Sequence, residues 1–146
     1  MKRQAVIFTA PYTVDVCEET IPAPAAQELL VATEVSAISP GTEMLVYRGQ
    51  MPSDLPLDAT ISALSGDFAY PLKYGYAAVG RVMACGTAVD PAWLGRLVFA
   101  FHPHESHFLA TSDELLPVPA GIDAETAVFL PNMETAVSFL MDSQPM

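Results

Sequence analysis

The sequence predicts an α+β fold, mainly β, built as one domain of short strands followed by a helix pair. Three observations lead there. Thirteen prolines in 146 residues exceed the usual share of about 5%, and proline is poorly tolerated inside helices and central strands, so the elements must be short. Apolar residues recur in brief β-branched and aromatic runs bounded by Pro and Gly, the mark of strands. Helical periodicity is strongest near the C-terminus, and strands followed by helices is an α+β order. With 51% hydrophobic and 16% charged residues, the chain folds rather than staying disordered. A chain of this length buries roughly 68–70% of its unfolded surface.

Taken in order, residues 4–9 are rich in Val, Ile and Phe and stop at Pro11, giving a first strand. Residues 13–20 alternate Val14 and Val16 with Asp15 and Cys17, a half-buried strand pattern. A Pro- and Ala-rich connection over 22–26 precedes a long strand over 28–38, whose better core face carries Leu29, Val31, Thr33, Val35 and Ala37. Pro40 and Gly41 make a turn, after which Thr42 is placed to cap a short helix through Leu45, Val46 and Tyr47. Residues 50–67 are mostly polar and small and read as a long excursion.

Strand character returns over 74–84, where Gly80 signals a bulge or a close backbone approach. Residues 86–95 form a turn region around Pro91 and Trp93. The consecutive Leu97, Val98, Phe99, Ala100 and Phe101 predict the most buried strand, and 106–110 and 115–118 predict two short ones. Asp123 opens a helical pattern that Pro131 breaks, and a second helix runs over about 132–141. No internal repeat, low-complexity tract or linker interrupts residues 1–146.

The formal charge of −11 comes from 17 acidic and six basic residues. The basic ones are scattered, which argues against nucleic acid, because phosphate contacts need clustered Lys and Arg. Cys17 and Cys85 make no metal-type spacing; one disulfide is possible but not indicated. Residues 5–8 are too short for the apolar part of a signal peptide, and no run approaches the roughly 20 residues that span a bilayer. A cytoplasmic protein with no membrane partner is expected.

Four stretches carry a family likeness: VSAISPGTEMLVYRG (35–49), KYGYAAVGRV (73–82), GRLVFAFHPHESHFLA with LLPVPAGI (95–110 and 115–122), and AVFLPNMETAVSFL (127–140). Together they resemble the GroES-like catalytic domain of the medium-chain, zinc alcohol dehydrogenase-like, dehydrogenase/reductase superfamily. Within it, the SPGTE and FHPHE variants look closest to dehydrogenases of the bacteriochlorophyllide-processing type. The resemblance implies a partly open GroES-like β-barrel and, beyond it, a Rossmann domain that binds NAD or NADP. None of the eight glycines shows the Gly-x-Gly-x-x-Gly spacing of such a domain, so the nucleotide-binding domain is expected to be absent from residues 1–146.

Where the family binds catalytic zinc, this sequence has Ser39 or Pro40, Tyr76, Ala77 and, approximately, Asn132. Zinc needs thiolate, imidazole or carboxylate donors, so no zinc is expected. The resemblance implies a substrate-binding domain of a zinc-free NAD(P)-dependent oxidoreductase of alcohols or ketones, inactive without its cofactor domain. Two alternatives stay open: a metal-dependent dehydrogenase with rearranged ligands, and a non-catalytic binding or assembly module.

The catalytic candidates are Thr42, Tyr76, His102 and His104. Thr42 matches the family hydroxyl that passes a proton from substrate, and is equally a helix cap. Tyr76 stands at the family's histidine position and is either a donor to a substrate carbonyl or strand packing. Pro103 disturbs the cluster of His102, His104, Glu105 and His107, which offers a substrate-facing imidazole or, less readily, a metal site. Glu43, without the family histidine beside it, reads as a first-turn acid favoured by the helix dipole. Met133, Glu134 and Thr135 match the segment facing the nicotinamide ring, or else form a buried helix N-terminus. The expected partners are a small-molecule substrate and a second copy of the chain, through the C-terminal helix.

Overall fold

The computed structural model describes residues 1–51 and 68–143, so most of the long excursion after Gln50 lies outside the described residues. Among the described residues, seven strands and three α-helices follow in chain order: β1 (Lys2–Ala10), β2 (Thr13–Thr20), β3 (Glu28–Ser36), α1 (Thr42–Arg48), β4 (Ala78–Cys85), β5 (Leu97–Ala100), β6 (His107–Thr111), β7 (Leu116–Pro117), α2 (Ala124–Ala127) and α3 (Leu130–Asp142). The architecture is α+β and mainly β.

β1 and β2 form an antiparallel ribbon; the other five strands form a sheet in the order β6-β3-β4-β5-β7, with every neighbouring pair antiparallel. The side-chain period of two puts Leu29 and Val31 of β3 into one core with Val82, Val98, Phe108 and Ala110. A second core on the sheet joins Val79 and Phe99 to Val128, beside α2. A third sits beneath α1 and the ribbon, where Phe8, Val46, Leu72 and Tyr74 pack. Phe99 and Phe108 are among the largest fully buried side chains.

Gly80 is a close approach. A Cβ there would lie 2.3 Å from the carbonyl oxygen of Ala32, and the β3–β4 register shifts between Thr33 and Val35 beside it. Glycine lets the two strands meet where a side chain would separate them.

Several expectations are corrected. Val14 and Val16 are exposed rather than half-buried, because β2 pairs with β1 alone and these side chains border open pockets instead of a packed layer. Thr42 does not cap α1: Gly41 holds the cap position and Thr42 is already helical. Pro131 lies in the first turn of α3 instead of ending a helix, where its missing N–H has no intrahelical partner to lose. Glu134 is neither buried nor in the first turn of α3, so it gains little from the helix dipole. Both cysteines are free. No described helix is long and apolar enough to cross a membrane.

Candidate functional site: a buried acid–imidazole–hydroxyl chain

The end of β3, the start of α1 and the loop between β5 and β6 converge on one cavity of about 380 Å³. Its lining includes Val6, Phe8, Val14, Ile38, Met44 and Tyr47, with polar atoms supplied by Ser36, Glu43 and His104. That mixture, an apolar wall with a few convergent polar groups, is the usual make-up of a small-molecule site.

The polar groups form a chain. His104 Nε2 lies 2.8 Å from Glu43 Oε2, and His104 Nδ1 lies 2.8 Å from Ser36 Oγ. Glu43 Oε1 in turn accepts a hydrogen bond of 2.9 Å from the backbone N–H of Ser39. Glu43 is 2% exposed and His104 9%, so neither can exchange these partners for water at low cost. An ionised Glu43 can only accept, which puts the proton on Nε2 and leaves Nδ1 to accept from the Ser36 hydroxyl.

Local structure explains why these residues meet. Ser36 ends β3, and the Ser39–Pro40–Gly41 turn reverses the chain so that the first turn of α1 presents Glu43 inward. The His104 segment is fixed on the other side by backbone bonds: Val6 N–H donates to the His104 carbonyl at 2.9 Å, and Ser106 N–H to Gln4 at 2.8 Å. Gly75, at φ +127°, completes the arrangement, since a Cβ on it would lie 2.7 Å from His104 Nε2. The imidazole therefore rests against bare backbone.

The other candidates fall elsewhere. Tyr76 is half-buried and packs edge-on against Tyr74, with ring centroids 6.5 Å apart, beside the core under α1. It does not line the cavity, and neither does Thr42. His102 stacks on Phe108 with centroids 4.1 Å apart. Burial pushes its pKa down against the opposing pull of Glu105 3.8 Å away. Met133, Glu134 and Thr135 are exposed on α3, where the Thr135 hydroxyl donates to the Pro131 carbonyl at 2.9 Å.

The histidine cluster does not converge. His104 faces Glu43, His107 meets Ser106, and Glu105 pairs with Arg3 and Lys73 while lying 3.8 Å from His102 Nδ1. The described residues hold no group of three or more His, Cys, Asp or Glu placed for a metal. Both ring nitrogens of His104 are engaged, Nε2 with Glu43 and Nδ1 with Ser36.

Sequence reasoning underrated two members. Glu43 follows a helix start, and its burial against a histidine 61 positions away leaves no local trace. Ser36 sits in an alternating strand, inside the 35–49 likeness but at a position to which that likeness gave no role.

No family model and no curated protein matches this chain. Solved structures do. A mutant form of enoyl thioester reductase from Candida tropicalis superposes with a TM-score of 0.77 at 19% identity, covering 100% of this chain and 45% of its own. A quinone oxidoreductase from Coxiella burnetii gives 0.73 at 17%, covering 99% and 46%. A short chain alcohol dehydrogenase from E. coli CFT073, complexed with NADH, gives 0.75 at 17%, covering 99% and 47%. The fold shared with these structures is a GroES-like α+β domain, mostly β, as the four sequence stretches imply. The chain spans less than half the length of the solved structures it matches.

Proposed function

We propose that the chain is the substrate-binding domain of a zinc-free, NAD(P)-dependent oxidoreductase that reduces a carbonyl or oxidises the corresponding alcohol. The observation that carries this reading is the buried Glu43–His104–Ser36 chain on the wall of an apolar cavity, within a fold whose solved neighbours are oxidoreductases.

Carbonyl reduction needs one hydride on carbon and one proton on oxygen. The residues here serve the proton. Reduction starts from the His104 imidazolium, which Glu43 stabilises at Nε2: the Ser36 hydroxyl, at the cavity, gives its proton to the developing alkoxide and takes the His104 Nδ1 proton in its place, leaving a neutral imidazole protonated on Nε2. Oxidation runs the same path backwards. A dinucleotide does not fit these residues by themselves, because no Gly-x-Gly-x-x-Gly turn is present in the sequence; the hydride side belongs to chain outside them. Zinc is left out of the reading on donor chemistry, since Tyr76 and Ala77 stand where the family has ligands and His104 is already paired on both nitrogens.

The test is turnover. The product of the uninterrupted reading frame should oxidise NADH or NADPH with a neutral carbonyl substrate, without stoichiometric zinc by elemental analysis. Cofactor binding with no turnover across a panel of aldehydes, ketones, enones and quinones would support a non-catalytic module instead. Activity that tracks bound zinc would support rearranged metal ligands.

A further inference from the structure

One cluster of charges is not used by that reading. Arg3 and Lys73 each contact both Glu19 and Glu105: Arg3–Glu105 at 2.6 Å, Arg3–Glu19 at 2.9 Å, Lys73–Glu105 at 2.7 Å and Lys73–Glu19 at 2.5 Å. Two bases and two acids alternate in a closed ring. The Glu105 side chain is only 3% exposed, unlike the open Lys2–Glu18 pair on the same ribbon, at 72% and 56%. Burial pulls the Lys73 pKa down, but the hydrogen bonds that its ammonium donates to Glu105 and Glu19 outweigh this and raise it.

The position of the ring matters more than its charge. Glu105 directly follows His104, and Lys73 precedes Gly75 by two residues. Gly75 and His104 are the pair in close contact at the candidate site. Residues 73–77 belong to no strand or helix; they run from Leu72, bridged to Phe8, to the start of β4. Backbone bonds locate His104 from the β1 side, but Gly75 reaches the imidazole through a segment with few such bonds.

We infer that Lys73 is a positioning residue: its ion pair with Glu105 clamps the 73–77 segment against the 104–106 segment, so that Gly75 holds the His104 ring on Glu43 and Ser36. Lys73 touches neither the cavity nor the relay and acts only through Gly75. Arg3 and Glu19 complete the ring from the ribbon, which lets Lys73 hold Glu105 without leaving either charge unpaired. This inference rests on His104 being the working imidazole of the proposed function, yet its readout needs no substrate and no cofactor.

The experiment is NMR of the 146-residue chain labelled with ¹⁵N-histidine, which has only three imidazoles to resolve. The signature is the solvent exchange rate of the His104 Nε2 proton facing Glu43, assigned by its loss in His104→Gln. In Lys73→Met, which keeps an apolar stem and removes the charge, that proton should exchange at least about tenfold faster, as expected when a buried hydrogen bond opens more often. Lys73→Arg should restore the slow rate, and Lys2→Met, which removes the same charge from the exposed pair, should leave it unchanged. If Lys73→Met does not fold, Glu19→Gln takes its place and should speed exchange in the same direction by a smaller factor. An unchanged rate in a folded Lys73→Met, or an equal acceleration in Lys2→Met, overturns the inference. The two readings fail separately: slow exchange that depends on Lys73, in a full-length protein without turnover, refutes the catalytic reading and leaves the clamp standing.

Discussion

Substituting Gly75 with alanine probes the site most sharply, because one methyl group lands on the candidate imidazole. The added Cβ would lie 2.7 Å from Nε2 and 2.8 Å from Cδ2 of His104, well inside contact distance, so the ring must move off Glu43. Two costs add. The φ of +127° strains any L-residue by about 1–3 kcal/mol, and loss of a buried hydrogen bond to a charged group costs about 1.5–3 kcal/mol. Gly121→Ala isolates the first cost, since Gly121 has φ +90° and nothing within 4 Å of a built Cβ. Gly75→Ala should therefore be worse than Gly121→Ala by about 1.5–3 kcal/mol. At roughly 2–4 °C per kcal/mol for a chain of this size, that is a further drop of about 3–12 °C in Tm. Thermal unfolding followed by circular dichroism measures both variants. In a His104→Ala background the excess should vanish, giving a double-mutant coupling of the same size. Equal Tm losses for the two glycines, or an excess that persists without the imidazole, would refute the close Gly75–His104 contact on which the site is built.

Other outcomes follow from the same structure. Phe108→Ala should cost about 3–5 kcal/mol in chemical denaturation, because Phe108 is fully buried and His102 stacks on it. The Lys73 hydrogen bond, helped by Arg3 and opposed by partial burial, holds the Glu19 carboxyl below its ordinary 4.5. Its folded-state pKa is depressed, so its stabilisation is complete above the unfolded value and is lost as pH falls through the folded one. The stability gap between wild type and Glu19→Gln should thus be flat above pH 4.5 and shrink below it, as urea titrations at several pH values would show. The α3 side chains Met133, Val137, Leu140 and Met141, at helical spacing, are 59%, 47%, 72% and 69% exposed, an apolar face that should drive self-association. A monomeric elution profile at high concentration would count against it.

Much of the fold was legible because its signals are local. The alternation of β3, the consecutive apolar run of β5 and the Asp123 cap of α2 each announce an element within a few residues. Gly80 showed its close approach because strand interiors rarely keep glycine without reason. The site was less legible because its bonds are long-range. His104 was a candidate, but nothing near it in sequence points to Glu43 or Ser36, which lie 61 and 68 positions away. Family correspondence drew attention to Tyr76, while the space against Gly75 is filled from another segment by the His104 ring. The exposure of Val14 and Val16 escaped the pattern for a related reason: alternation marks the two faces of a strand but not whether a second layer covers either of them.

The central claim is that His104, not Tyr76, moves the proton. It is tested most directly by kcat for NAD(P)H-dependent carbonyl reduction by the uninterrupted gene product, compared across wild type, His104→Gln and Tyr76→Phe. The account predicts a loss of about 10²–10⁴-fold in His104→Gln, the usual worth of a general acid–base group, with KM little changed and Tyr76→Phe close to wild type. A large loss in Tyr76→Phe together with near-normal turnover in His104→Gln would contradict it.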